Sequence, residues 1–233
     1  MVWIVPLEHI PPRRQELKLY PALVLAAFVL SLVAPASQAS IILDNSSQGL
    51  YNSGIGTLLD TLGATDPFPC ANIACDDLTV SFPTAPNLSA ASLPLGAWLT
   101  NPTAPGGAWS ASVGAIPSTW AVNSETAIIY AINAGAGITN LSLLLGVDNG
   151  IFVWLDGSYL FGARAGGGSV LGEYSVALSN LTGTHYLQLL REDHGGATGF
   201  DIQLSGNAVV VPEPGTLALL SMGIVALALR RRK

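Results

Sequence analysis

Glu192, Asp193 and His194 form the densest run of chemically capable side chains in the chain. A carboxylate pair, or a His–Asp pair beside a nucleophile, is the raw material of hydrolysis. No nucleophile accompanies this run: the sequence has no Gly-x-Ser-x-Gly element. The run is therefore expected to cap a hairpin, and no catalytic residue is assigned. Asp148 and Asn149, taken with Glu192 and Asp193, supply hard oxygens of the kind a structural calcium ion needs. The same residue types also stabilise turns through their own backbone, which is the competing reading. Four tryptophans, Trp98, Trp109, Trp120 and Trp154, could stack on a sugar ring. Trp154 lies in an apolar run and is expected in the core. Trp98 and Trp109 lie in a Pro/Gly-rich stretch and are the candidates for an exposed glycan-binding surface.

These residues need a scaffold, and the pattern around them is that of strands. Between residues 40 and 207 the chain is rich in small and turn-forming residues, with short apolar runs between the turns. Strands are predicted at 78–82, 126–132, 138–147, 151–155, 158–161, 174–178, 185–191 and 200–204. Asp156-Gly157 predicts a two-residue hairpin, because both residues tolerate positive φ. In the last strand Phe200, Ile202 and Leu204 alternate with Asp201, Gln203 and Ser205, the period of a sheet with one wet face. No amphipathic helix is available to cover these strands. The expected fold is all-β: one antiparallel, jelly-roll-like β-sandwich. Residues 83–118, punctuated by six prolines, are expected to be a long loop or an irregular extension.

Charge is segregated. Of the nine basic residues, seven lie in the first 18 or the last four positions. Between Ser40 and Val211 twelve acids face only Arg164 and Arg191, leaving that region ten units negative. Such a surface repels phosphate backbones, which argues against nucleic acid as a partner. Arg191 is expected to pair with a nearby acid.

The ends explain the remaining positive charge. Arg13, Arg14 and Lys18 precede an apolar core at 22–34, and Ser37-Gln38-Ala39 places small residues where a signal peptidase reads. Residues 1–39 are read as a signal peptide cut after Ala39, with an uncleaved anchor as the alternative. In an exported chain Cys70 and Cys75 are expected to form a disulfide, free thiols being the other possibility. Residues 208–233 close the chain in three abutting parts. Pro212-Glu213-Pro214 cannot join a regular helix or a central strand, so it stays extended. An apolar run at 216–229 is read as one transmembrane helix. Arg230, Arg231, Arg232 and Lys233 hold its end in the cytoplasm.

This tail resembles the PEP-CTERM sorting signal of exported bacterial proteins, in kind and in order. The resemblance implies recognition of Pro212-Glu213-Pro214 by an exosortase, a membrane-embedded protease, and delivery of the chain to the surface or the extracellular polysaccharide matrix. A second resemblance covers 148–201. The Asp148-Asn149-Gly150 turn leads into a strand and a hairpin tipped by Asp156-Gly157. His185 to Gly196 and Gly199-Phe200-Asp201 follow. This arrangement is similar to galactose-binding-like and carbohydrate-binding-module sandwiches, and it implies their fold. The expected protein is thus an exported, non-enzymatic surface or matrix component with a structural, adhesive or glycan-binding role. A secreted hydrolase of matrix polysaccharide, using Glu192, Asp193 and His194, is the alternative.

Overall fold

A computed structural model describes residues 39–59, 80–165, 168–193 and 195–209, and, in the tail, 220–224, 227–228 and 230–231. The expected disulfide Cys70–Cys75, the motif Pro212-Glu213-Pro214, His194 and most of the signal peptide lie outside the described residues. So does much of the expected transmembrane run. Among the described residues no helix is long and apolar enough to cross a membrane.

Among the described residues, the unit Ser37–Val211 is all-β apart from two short turns of helix. Its strands are β1 (Ala39–Asp44), β2 (Leu50–Gly56), β3 (Val80–Ser81), β4 (Glu125–Leu155), β5 (Ser158–Ala165), β6 (Tyr174–Ala177), β7 (Leu181–Glu192) and β8 (Gly199–Ala208). All pairings between these strands are antiparallel. β4 is continuous where the sequence predicts three strands, and it runs through both layers of a sandwich. Its first limb, 125–133, lies between β2 and β7. Its second, 138–148, lies between β8 and β6, and β1 extends that layer beyond β8. Its third, 149–155, returns to the first layer between β7 and β5, with β3 outermost. Gly135 and Gly137, at φ +50° and +149°, make the first corner, where a side chain would be strained. The second corner is Asp148-Asn149, joined by a cis peptide bond.

The core follows the period of two. Ile128, Tyr130, Ile132, Leu187, Leu189, Ile151 and Val153 meet Leu143, Leu145, Val147, Phe200, Ile202 and Leu204 between the layers. The alternation expected in the last strand is thus observed. The Asp156-Gly157 turn is as expected too: both residues have positive φ, and Leu155 pairs with Ser158.

The intervening residues of the first layer, Ala127, Ile129, Phe152, Trp154 and Leu190, point outward yet are buried. The Pro/Gly-rich segment covers them. It is not an extension: Ala91, Leu95 and Trp98 form a second core against that outer face. A 3-10 turn (Ser89–Ala91) and a one-turn helix, α1 (Ser92–Leu95), start the cover. The segment then folds on itself, Ala97 N donating to Pro105 O at 2.7 Å and Ala108 N to Pro94 O at 2.8 Å. Gly96 and Gly107 permit this approach, since a Cβ there would lie 2.2 Å from Pro105 O and 2.1 Å from Pro94 O.

Candidate functional site

The two poles of the sandwich differ in chemistry. At one, the described chain enters and leaves: Ala39 pairs with Asn207, and Val209 N donates to Gly137 O at 2.8 Å. At the other, the register collects the buried ionisable side chains. Gly150 pairs with Arg164 on one side and with Glu192 on the other, Asp148 pairs with Gly199, and Thr126 pairs with Arg191. Glu125, Asp148, Asn149, Arg164, Arg191, Glu192 and Asp193 are all buried there. Burying such groups is costly unless they are paired or hydrogen-bonded.

Asp148, Asn149, Glu192 and Asp193, expected as calcium ligands, are therefore brought to the same pole. Asn149 Nδ2 donates to Asp148 Oδ1 at 2.9 Å. Asp193 Oδ2 accepts the backbone N–H groups of Asn123, at 2.7 Å, and Gly195, at 3.0 Å. That carboxylate oxygen is engaged in turn chemistry and ties two loops together. Among the described residues no group of three His, Cys, Asp or Glu side chains is arranged to hold a metal ion. Glu173 reaches this pole as well, accepting Val147 N at 3.1 Å. Burial raises its carboxyl above the ordinary range, Val147 N–H opposes the rise, and the nearby Asp148 charge adds to it.

Among the described residues no acid pairs with Arg191, contrary to expectation. Its guanidinium lies 4.2 Å from the Trp120 ring centroid and 4.6 Å from that of Phe200. Nε donates to Thr126 Oγ1 at 3.1 Å, and one Nη to Pro117 O at 2.9 Å. Burial pulls it down to about 10, partly offset by Tyr51 and Tyr130, so it stays charged at neutral pH. Neutral oxygens and aromatic faces stabilise the cation here. The period of two could have placed it: Arg191 shares parity with Leu187 and Leu189, which face inward.

Trp98 and Trp109 are not an open surface. Trp98 is 3% exposed, stacks on Trp109 at 5.9 Å and meets Trp154 edge-on at 5.2 Å. Trp109 Nε1 donates to Leu95 O at 2.9 Å. The apolar outer face of the first layer recruits both rings, which buries Trp98 and leaves Trp109 half-buried. Trp154 is in the core, as expected.

Trp120 stands apart from these, at the polar pole. It is half-buried and lines a cleft of about 590 Å³ with Tyr51, Ser53, Thr57, Thr119 and Asn123. Its indole N–H donates to Ser124 O at 2.8 Å, while its backbone exchanges hydrogen bonds with Thr198 Oγ1 at 2.9 and 3.0 Å.

His185 lies at the opposite pole. Nδ1 is 2.6 Å from Asp156 Oδ2, Nε2 is 2.9 Å from Thr182 O, and Asp156 Oδ1 accepts Tyr186 N at 2.8 Å. The bond to Asp156 raises the imidazole pKa above its ordinary 6.5; partial burial opposes this, and Thr182 O adds to the rise. A raised histidine stabilises the fold fully below pH 6.5, and the contribution disappears as pH climbs through the folded value. The pair is largely solvated, so its effect should be about 0.5 kcal/mol. Denaturation of wild type and His185→Gln should differ more at pH 5.5 than at pH 9. Equal differences at both pH values would rule out a charged imidazole here.

Comparison with known proteins agrees with the tail. A family model described as the PEP-CTERM protein-sorting motif matches residues 210–233. That motif is recognised by exosortase, a membrane protein, and it implies export and membrane-associated sorting. No curated protein matches the chain. Among solved structures, a "PA14 sugar-binding domain from RTX adhesin" is weakly similar, at 14% identity and a TM-score of 0.29, over 69% of this chain and 90% of that one.

Proposed function

We propose that this chain is an exported, non-enzymatic surface or extracellular-matrix protein whose sandwich binds glycan. Its tail would be a temporary membrane anchor removed by an exosortase-like protease. The observation supporting this reading is the opposition of the two poles. The last strand ends at Ala208, four residues before Pro212, and the buried polar groups gather at the far end. Within the sandwich, the described chain enters and leaves at one pole and the buried charged residues lie at the other. A helix over 216–229 would span about 21 Å, short of the ~30 Å hydrocarbon core. That suits a segment held briefly and then released, leaving Arg230, Arg231, Arg232 and Lys233 behind with it.

The test is Glu213→Ala in the full chain. Wild type should be recovered outside the inner membrane in a shortened form, while the variant stays at full length in that membrane. Release at the wild-type rate would overturn the sorting reading. The released protein should also co-sediment with the cell's own polysaccharide; its complete recovery in the supernatant would overturn the glycan reading. Repeating the sedimentation in calcium and in chelator tests whether the ion expected from Asp148, Asn149, Glu192 and Asp193 takes part.

A further inference from the structure

We infer that the cleft between β2 and residues 117–126 is a saccharide-binding site, and that it selects neutral sugars. This rests on the glycan reading above and gives it an address. The cleft, at about 590 Å³, falls in the range of small-molecule sites, ~300–1,000 Å³. Its lining has an unusual composition for this domain. Twelve acids lie between Ser40 and Val211, yet among the described residues no charged side chain lines the cleft. Two aromatic rings, Tyr51 and Trp120, stand among the hydroxyl and amide groups of Ser53, Thr57, Thr119 and Asn123.

Those groups match a sugar in kind. Hydroxyl and amide side chains both donate and accept, as a polyol does. An indole or phenol ring offers a flat apolar face to the C–H side of a pyranose while its polar tip is held elsewhere. An anionic sugar would gain no ion pair from the lining. It would also meet the domain's net negative charge, twelve acids against two arginines between Ser40 and Val211.

The platform is pre-organised. Arg191 lies against the Trp120 ring at 4.2 Å, Ser124 O fixes the indole N–H, and Thr198 clamps the backbone on both sides. A ring already immobile loses little entropy when a ligand stacks on it. Asn123, with φ +55°, is held by Asp193 through its N–H, so the rim that carries the amide is anchored to the polar pole. The buried ionic residues then act as positioning groups for this cleft rather than as ligands.

The experiment is calorimetric titration of the detergent-solubilised full chain with neutral hexasaccharides of glucose, galactose, mannose and xylose, and with a uronate hexasaccharide. Ser53→Trp and Thr119→Trp change exposed rim residues, fill the cleft and should leave the melting temperature unchanged. At least one neutral sugar should bind wild type, and each rim variant should weaken it by about tenfold or more. Binding should also shift tryptophan emission, and Trp120→Phe should abolish the shift, which provides a readout if a rim variant fails to fold. Undiminished affinity in folded rim variants, or an emission shift that survives Trp120→Phe, would overturn the location while leaving the glycan reading intact. Preference for the uronate would overturn neutral selectivity. Failure of every saccharide to bind wild type would overturn the glycan reading and this site with it.

Discussion

Arg191→Ala should destabilise the sandwich by about 3 kcal/mol, whereas Arg191→Met should stay within about 1 kcal/mol of wild type. The contrast decides what holds the polar pole together. Arg191 is 0% exposed, and its partners are Thr126 Oγ1, Pro117 O and the rings of Trp120, Phe200 and Tyr51, none of them an acid. Keeping the charge out of water costs energy, as its lowered pKa reflects. Alanine relieves that cost but leaves a side-chain-sized void between two aromatic rings, and it strips the donor from a buried threonine hydroxyl. Void and lost donor together exceed the relief. Methionine removes the charge and refills most of the volume with an apolar chain that packs well on aromatic rings. Chemical denaturation of the detergent-solubilised chain, followed by tryptophan fluorescence, measures both. If Arg191→Met proved as damaging as Arg191→Ala, packing would not be the main contribution and the hydrogen bonds to Thr126 and Pro117 would be.

The sequence made much of the fold legible because strands announce themselves through a local period. Phe200-Asp201-Ile202-Gln203-Leu204 and the Asp156-Gly157 turn carry their structure in adjacent residues, and both are as expected. β2 was not legible: Leu50 to Gly56 contains two glycines, an asparagine and a serine, and only pairing with the first limb of β4 makes it a strand. The unity of β4 was hidden too, because its corners at Gly135–Gly137 and Asp148-Asn149 read locally as turns. The four expected ion ligands lie at one pole without three acids among the described residues arranged to hold an ion, and the cleft beside Trp120 was not visible. It depends on β2 lying next to residues 117–126, and that contact is set by long-range register. The cover over the first layer was hidden for a related reason. A strand with apolar residues on both faces, such as 151–155, says that both sides are buried; it does not say which distant segment supplies the second side.

That cover is tested by Trp98→Ala, which should cost about 3–5 kcal/mol, as large aromatic truncations in a core do. Trp98 is 3% exposed and contacts two further tryptophans, with ring centroids 5.9 Å away at Trp109 and 5.2 Å away at Trp154. Its backbone carbonyl also accepts Gln188 Nε2 at 2.6 Å, while Gln188 Oε1 accepts Gly157 N at 2.7 Å. A single fully buried glutamine on β7 thus joins the covering segment to the β4–β5 hairpin. Truncating Trp98 removes the stacking and leaves a void beside Trp154, and the other attachments, Trp109 Nε1 to Leu95 O and Asn52 Nδ2 to Pro94 O, do not fill it. The loss should be local before it is global. Segment 83–118 has little regular structure to hold it in place once its anchor is gone, whereas the inter-layer core is made of other residues. Limited proteolysis of Trp98→Ala should therefore cut within 83–118 at protease levels that leave wild type intact, with β4, β7 and β8 still protected from hydrogen exchange. Cutting elsewhere first, or a stability loss under about 1 kcal/mol, would mean that the segment is an accessory loop and that the outer face of the first layer is not a second core.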